Sequence, residues 1–421
     1  MIAVTVIIKK MNVTRWRGTA RVLLAALALL VWVPDLGAYS VLTHEAIIDT
    51  CWEHEIAPLL LKRFPASTPD QLIEAHAQAY GGAIIQDMGY YPFGSRLFSD
   101  LVHYARSGDF VIALLQDAQD LNEYAFALGA LAHYAADNSG HPIAVNHVVP
   151  MLYPKLRAKF GNEITYADDP NSHLKTEFGF DVIEVAHGNY APKSYHDFVG
   201  FKVSKPLLER AFEETYSIPL KSIFKSLDLA LGTYRRTISS IIPEMSKTAW
   251  AARKNEIQQT TPGISRQKFI YNLSRASYEK EWGKDYERPG LGARFLAFIF
   301  RIVPKIGLFK ALGFKVPTPP AEKLFVDSFN KTVDTYRALL AAQRTDRLKL
   351  PNENFDTGKP TREGEYRLAD NAYATLLEKL ADQKAVPAPE LRANILAFYT
   401  VKLNQLSEKA RQELESLKSA S

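Results

Sequence analysis

Cysteine is almost missing: Cys51 is the single one in 421 residues. One thiol cannot form an intrachain disulfide, so stability must come from core packing, bound metal, or both. Strand-length runs of alternating apolar and polar residues are scarce, which argues against a β-rich architecture. No internal repeat or low-complexity tract is present, so a solenoid is excluded. Histidine stops at His196, which places any imidazole chemistry in the first half of the chain. Uncompensated charge is scarce too, once the N-terminus is read correctly.

Arg15, Arg17 and Arg21 precede an apolar run, Val22–Val33, followed by Pro34 and "LGA". The run is too short to cross a bilayer, which takes about 20 residues. The pattern is that of a secretory signal peptide, residues 1–38, cleaved after Ala38, with Met11 an alternative start. The expected location is therefore exported, periplasmic or extracellular. Cleavage removes five of the 51 basic and one of the 46 acidic residues, leaving 46 and 45 and a net charge of +1 rather than +5. The basic pI belongs mainly to the leader and does not point to nucleic acid.

What is there is helix after helix. Helical apolar spacing runs through 41–62, 110–136, 205–247, 322–343 and 388–417, and Pro, Gly, Asn and Asp clusters punctuate it. The expected fold is an all-α, multi-helix bundle: a catalytic domain over 39–255 and a helical C-terminal region over 256–421. The boundary falls in the polar "NEIQQTTPGIS". The 47% apolar content suffices for a sizeable core.

The segment "HYAADNSGHP" (133–142) is the informative one. The stretch before it, "YAFALGALA", is almost wholly apolar, a poor setting for a carboxylate between two imidazoles. His133 and Asp137 sit one turn apart on one helical face, about 6 Å along the axis. Gly140 and Pro142 read as a helix stop. His141 then lies too far on to share an ion with His133, because a zinc ligand must come within about 2.0–2.2 Å. Asp137, with two oxygens between them, is placed to bridge two ions. Four other places supply matching ligand types: His44 in "SVLTHEAI", Asp87 in "IIQDMGYYP", His103 in "LVHYAR", and His173 with Glu177 at i, i+4 in "NSHLKTEF". His54, His76, His147, His187 and His196 fall outside the pattern and read as surface or structural residues.

In order and spacing these residues resemble the zinc-dependent phospholipase C family, which shares its all-α, three-zinc design with zinc-dependent single-strand nucleases. Tyr39, His44, Asp87, His103, His133, Asp137, His141, His173 and Glu177 fill the family's ligand slots in sequence, and "HPIAVN" (141–146) resembles the segment after the third helix His. The resemblance covers about 39–200. It implies three zinc ions: one on Asp87, His103, His133 and Asp137; a second on Asp137, His44 and the backbone nitrogen and carbonyl oxygen of Tyr39; a third on His141, His173 and Glu177. Two close cations acidify a shared water from about 15.7 to about 7, and the third offsets charge on the leaving oxygen. Asp87 is then general base as well as ligand.

The pattern also departs from the family's. Tyr39 stands where Trp is usual, His141 follows Asp137 by four residues rather than six, and Leu42 and Met88 replace an acid and a Tyr of the choline-lipid enzymes. The comparison with the family implies an intact metal site with choline preference lost. The expected function is an exported zinc-dependent phospholipase C that releases diacylglycerol and a phosphorylated head group from phospholipid. The alternatives are a zinc-dependent single-strand nuclease, the one case in which nucleic acid is a partner, and an inactive metal-stabilised binding protein. The aromatic "YYPFG" (90–94) serves as a cleft wall or as packing. "LGARFLAFIFRIVPKIGLFKALGFKVP" (291–317), interrupted by five basic residues, suits peripheral membrane contact or a buried hairpin with snorkelling ends. Nothing after about 320 points to chemistry.

Overall fold

A computed structural model describes residues 40–189, 201–238, 242–271, 313–399 and 406–419. The first half contains α1 (Val41–Cys51), α2 (Pro69–Gly82), a 3-10 turn (Ile85–Tyr90), α3 (Arg96–Tyr104), α4 (Ser107–Asp117), α5 (Leu121–Gly140) and α6 (Asn146–Leu152). It continues with α7 (Pro170–His187), α8 (Lys205–Tyr216) and α9 (Leu227–Arg236). Farther on, α10 (Pro319–Arg344), α11 (Arg367–Gln383), α12 (Pro389–Phe398) and α13 (Glu408–Ser419) pack beside these. Among the described residues the sole sheet is a two-stranded antiparallel hairpin, β1 (Glu353–Asn354) with β2 (Lys359–Pro360). The chain is all-α, as its periodicity predicts.

Helix α5 is the axis of the bundle. Its sequence is rich in alanine, and it is buried on every side except near its ends. An amphipathic surface helix would show one apolar stripe; this one is enclosed. Asp120 starts it by accepting the Glu123 N–H at 2.8 Å, a side-chain cap for a donor that has no helical partner. Helices α2 and α10 lie along it. The approach of α2 depends on Gly129: a Cβ there would sit 2.1 Å from the Ala79 carbonyl oxygen and 2.8 Å from the Ala83 nitrogen. Gly129→Ala is therefore expected to cost about 3 kcal/mol, the upper end for overpacking. Gly232, with nothing within 4 Å of its Cβ position, is the control and should leave stability unchanged. Denaturation midpoints read the two variants.

The helix stop expected at Gly140–Pro142 does not occur. Gly140 is right-handed helical (φ −63°, ψ −50°), and the chain continues through a π-helical turn, His141–Val145, into α6. Pro142 has no N–H to give the carbonyl four residues back, and its ring would crowd that carbonyl. One extra residue in the turn relieves both problems. The bulge carries His141 off the face that holds His133 and Asp137.

Cys51 is buried at the end of α1. Burial pushes its thiol up to about 12, so little thiolate, the reactive form, exists at neutral pH. The folded protein is expected to resist maleimide labelling for hours and to label stoichiometrically in denaturant. Labelling of the folded protein at the denatured rate would contradict this placement.

The proposed leader, Tyr39, His196 and residues 291–312 lie outside the described residues. Of the segment 291–317, Phe314 is buried against Phe178, and Lys315 Nζ donates to the Leu152 carbonyl at 2.6 Å. Among the described residues no helix is long and apolar enough to cross a membrane.

Candidate metal centre

Each ligand candidate comes from a different part of the bundle. Helix α1 brings His44, the 3-10 turn Asp87, α3 His103, α5 His133 and Asp137, the π-turn His141, and α7 His173 with Glu177. Helix α7 also anchors α1. Asp181, one turn beyond Glu177, accepts the Leu42 N–H at 3.1 Å and the Thr43 hydroxyl at 2.8 Å, so a carboxylate meets the donor end of α1.

Three buried clusters result. His44, His133 and Asp137 form one; Asp87, His103 and His133 the next; His141, His173 and Glu177 the third. Within each, the donor atoms lie within 4.8 Å of one another. All eight residues are buried. Asp137 stands between the first two clusters: Oδ2 is 3.1 Å from His133 Nε2 and 3.4 Å from His103 Nε2, and Oδ1 is 3.6 Å from His44 Nε2. Ser40 immediately precedes α1.

Backbone carbonyls fix the imidazoles. His103 Nδ1 lies 2.8 Å from the Ser99 carbonyl, His133 Nδ1 2.9 Å from that of Ala83, and His173 Nε2 2.6 Å from that of Ile164. A carbonyl can only accept, so the proton is on those nitrogens. The other nitrogen of each ring keeps its lone pair and faces a cluster. His103 Nε2 and His133 Nε2 approach to 3.3 Å. Two facing lone pairs repel unless an electrophile lies between them.

The electrostatics agree. Burial, followed by the neighbouring His133, pushes His44 down to about 4, and burial brings His173 to about 4 as well. Both are neutral near pH 7, as ligands must be. Burial opposes a charge on His103, but contacts with Asp137 and Asp87 outweigh it and raise the ring to about 10. Without a cation, the carboxylates draw a proton instead. Burial would raise Asp137, yet the His133 and His103 rings hold it well below the usual carboxylate range. Burial, then Asp87, drives Glu177 well above that range.

The residues fit zinc. Asp87 Oδ1, both oxygens of Asp137, His173 Nδ1 and both oxygens of Glu177 are buried without hydrogen-bond partners. Each such group costs about 1–3 kcal/mol, more when charged. A cation in each cluster satisfies them together, and nitrogen-plus-carboxylate sets are zinc donors.

The structure also adds a residue that the sequence did not single out. Asp356, in the loop of the β1–β2 hairpin, is 1% exposed, and its Oδ1 lies 2.9 Å from His141 Nδ1. Phe355 beside it packs its ring 5.2 Å from that of His103 and 6.0 Å from that of His133. The sequence after about 320 points to no chemistry, yet the fold brings Asp356 and Phe355 against the centre. No histidine flags "ENFDTGKP", and only the fold brings it to the centre.

Other sequence readings resolve as packing. Leu42 and Met88 are core residues. Tyr90 and Tyr91 are buried, the former near His103 and the latter edge-on to Tyr234. His76 is structural, 2.9 Å from Asp49 and stacked on Trp52. His187 pairs with Glu322 at 2.9 Å, close to Glu184, at the far end of α7.

A helical bundle enclosing three buried imidazole–carboxylate clusters, two of them joined by one aspartate, defines the class: an all-α protein whose core could hold several metal ions. Residues 43–226 match the family model described as zinc dependent phospholipase C. That part of the chain is similar to the zinc-dependent phospholipase C family. No curated protein and no solved structure matches the chain.

Proposed function

We propose that this protein is an exported phospholipase C that binds three zinc ions and cleaves phospholipid to diacylglycerol and a phosphorylated head group. The observation that carries the reading is the bridging of two clusters by the two oxygens of Asp137. Zinc bound there would acidify water and offset charge on the phosphoryl group. The chain's own residues supply the rest. The joined clusters hold two carboxylates between them, Asp87 and Asp137, so a phosphodiester anion meets excess positive charge in the loaded protein. Asp87 Oδ1, buried and without a hydrogen-bond partner, takes the proton of the attacking water. The water oxygen bonds to phosphorus, the bond from phosphorus to the glycerol oxygen breaks, and the proton held on Asp87 passes to that glycerol oxygen, so that diacylglycerol leaves as the alcohol. Leu42 and Met88 are apolar and lie in the core, so neither an acid at the first position nor a Tyr at the second holds choline, and choline lipids are not preferred.

Export and cleavage after Ala38 follow in the same proposal. The freed amino group of Tyr39, at an ordinary pKa of about 7.7–8.0, would join His44 and Asp137 as a donor; in the precursor that nitrogen is an amide. A precursor retaining 1–38 is expected to hold its second zinc more weakly than protein starting at Tyr39. Equal zinc affinity in both forms would remove the role assigned to Tyr39.

The deciding experiment incubates protein starting at Tyr39 with mixed-head-group liposomes and single-stranded RNA, with and without chelator, and reads product masses. Chelator-sensitive diacylglycerol, without choline preference, is the expected result. Nucleotides without diacylglycerol would replace this reading with a nuclease. Absence of both products would overturn it.

A further inference from the structure

The third cluster has three donors if it ends at Glu177. His141, His173 and Glu177 are 4%, 0% and 1% exposed. Two neutral imidazoles and one carboxylate leave the fourth position of a tetrahedral zinc open. A second carboxylate is at hand, and it comes from well beyond residue 226, where the family match ends.

Asp356 is held as a donor is held. Its Oδ2 accepts the Tyr166 N–H at 2.8 Å and the Tyr366 hydroxyl at 2.7 Å, so the carboxylate cannot turn away. Its Oδ1 is buried and has no hydrogen-bond partner; the same is true of His141 Nδ1, although the two atoms are 2.9 Å apart. Two atoms that share one zinc, each about 2.0–2.2 Å from it, are separated by about 2.9–3.5 Å, and their lone pairs converge on the ion instead of on each other.

The hairpin that presents Asp356 is built to stay. Asn354 Oδ1 accepts the Asp356 N–H at 2.9 Å and shapes the turn. Asn146 Nδ2 donates to the Asp356 carbonyl at 2.8 Å, and the Phe355 N–H donates to the His103 carbonyl at 3.2 Å. Gly358 closes the turn at φ +63°; a Cβ there would lie 3.0 Å from the Asn138 carbonyl oxygen and 3.2 Å from the Pro142 ring. The hairpin is seated against the π-turn that carries His141.

We propose that Asp356 is the fourth protein donor of the third metal cluster, so that one ion ties the C-terminal half of the chain to the phospholipase C domain. The proposal rests on the reading that His141, His173 and Glu177 bind zinc.

The test is zinc stoichiometry and chelator-competition affinity for the full processed chain and for its His173→Ala and Asp356→Asn variants. His173→Ala should lose one zinc. Asp356→Asn should weaken one zinc by about 10–100-fold, the loss typical of disturbing a partner of a metal site, and leave the other two unchanged. If His173→Ala loses an ion and Asp356→Asn binds like the parent, this proposal fails and the metal reading survives. If His173→Ala also binds like the parent, the metal reading fails and takes the proposal with it. A measurement on the unaltered protein covers a variant that does not fold. Adding zinc to metal-free protein should slow amide exchange across 353–360, and unchanged exchange there would overturn the tie.

Discussion

Asp137→Ala is expected to empty two clusters at once: the variant should retain about one zinc and lose activity by about 10³-fold or more. The reason is geometric. One oxygen faces His133 and His103, and the other faces His44, so no other side chain of the centre serves two clusters by separate atoms in this way. Lewis-acid stabilisation of a phosphoryl transition state is worth several kcal/mol, and each 1.36 kcal/mol is a factor of ten in rate. His173→Ala, in contrast, should remove one ion. Asp137→Asn should resemble Asp137→Ala, since the amide keeps the shape but loses the charge that two cations share. Metal analysis beside far-UV circular dichroism separates metal loss from unfolding. An Asp137→Ala protein with full zinc content would sink the bridging assignment.

Metal removal should have the largest effect on stability. The chain has no disulfide to fall back on, and its centre buries several groups without hydrogen-bond partners. A site held at a thousand times its dissociation constant contributes about 4 kcal/mol, so three contribute about 12 kcal/mol. At about 2–4 °C per kcal/mol for chains of 150–250 residues, and less for longer ones, chelation should lower the melting temperature by about 15–20 °C. Zinc, but not magnesium, should restore it, because imidazole donors suit the former and oxygen-only sets the latter. Calorimetry with and without chelator checks this, and an unchanged transition would mean that the clusters hold no metal.

Much of the centre was legible because helices repeat. His133 with Asp137, and His173 with Glu177, are i, i+4 pairs, so each shares a helical face wherever its helix packs. The buried approach 124–132 announced that the first pair would be enclosed. The π-turn was not legible. Gly140 and Pro142 are common helix terminators, and whether the chain stops or widens its turn there depends on what it packs against. Asp356 was hidden more completely. A lone aspartate in "ENFDTGKP" carries no pattern, since its meaning comes from His141, Tyr166 and Tyr366, which are distant in sequence or, like Tyr366, ten residues on across a turn. Leu42 and Met88 show the reverse case: the alignment of motifs marked them as altered head-group residues, and packing places them in the core.

By itself, then, the sequence pointed to the helical class through its periodicity, and, through its resemblance to a family's order of ligands, to eight residues that the fold gathers into three clusters. The tertiary structure alone decided which donors share a cluster, which nitrogen of each ring faces inward, and that the C-terminal half reaches the centre. Those are set by where carbonyls such as those of Ala83, Ser99 and Ile164 fall once helices pack, and long-range packing leaves no mark on a local pattern.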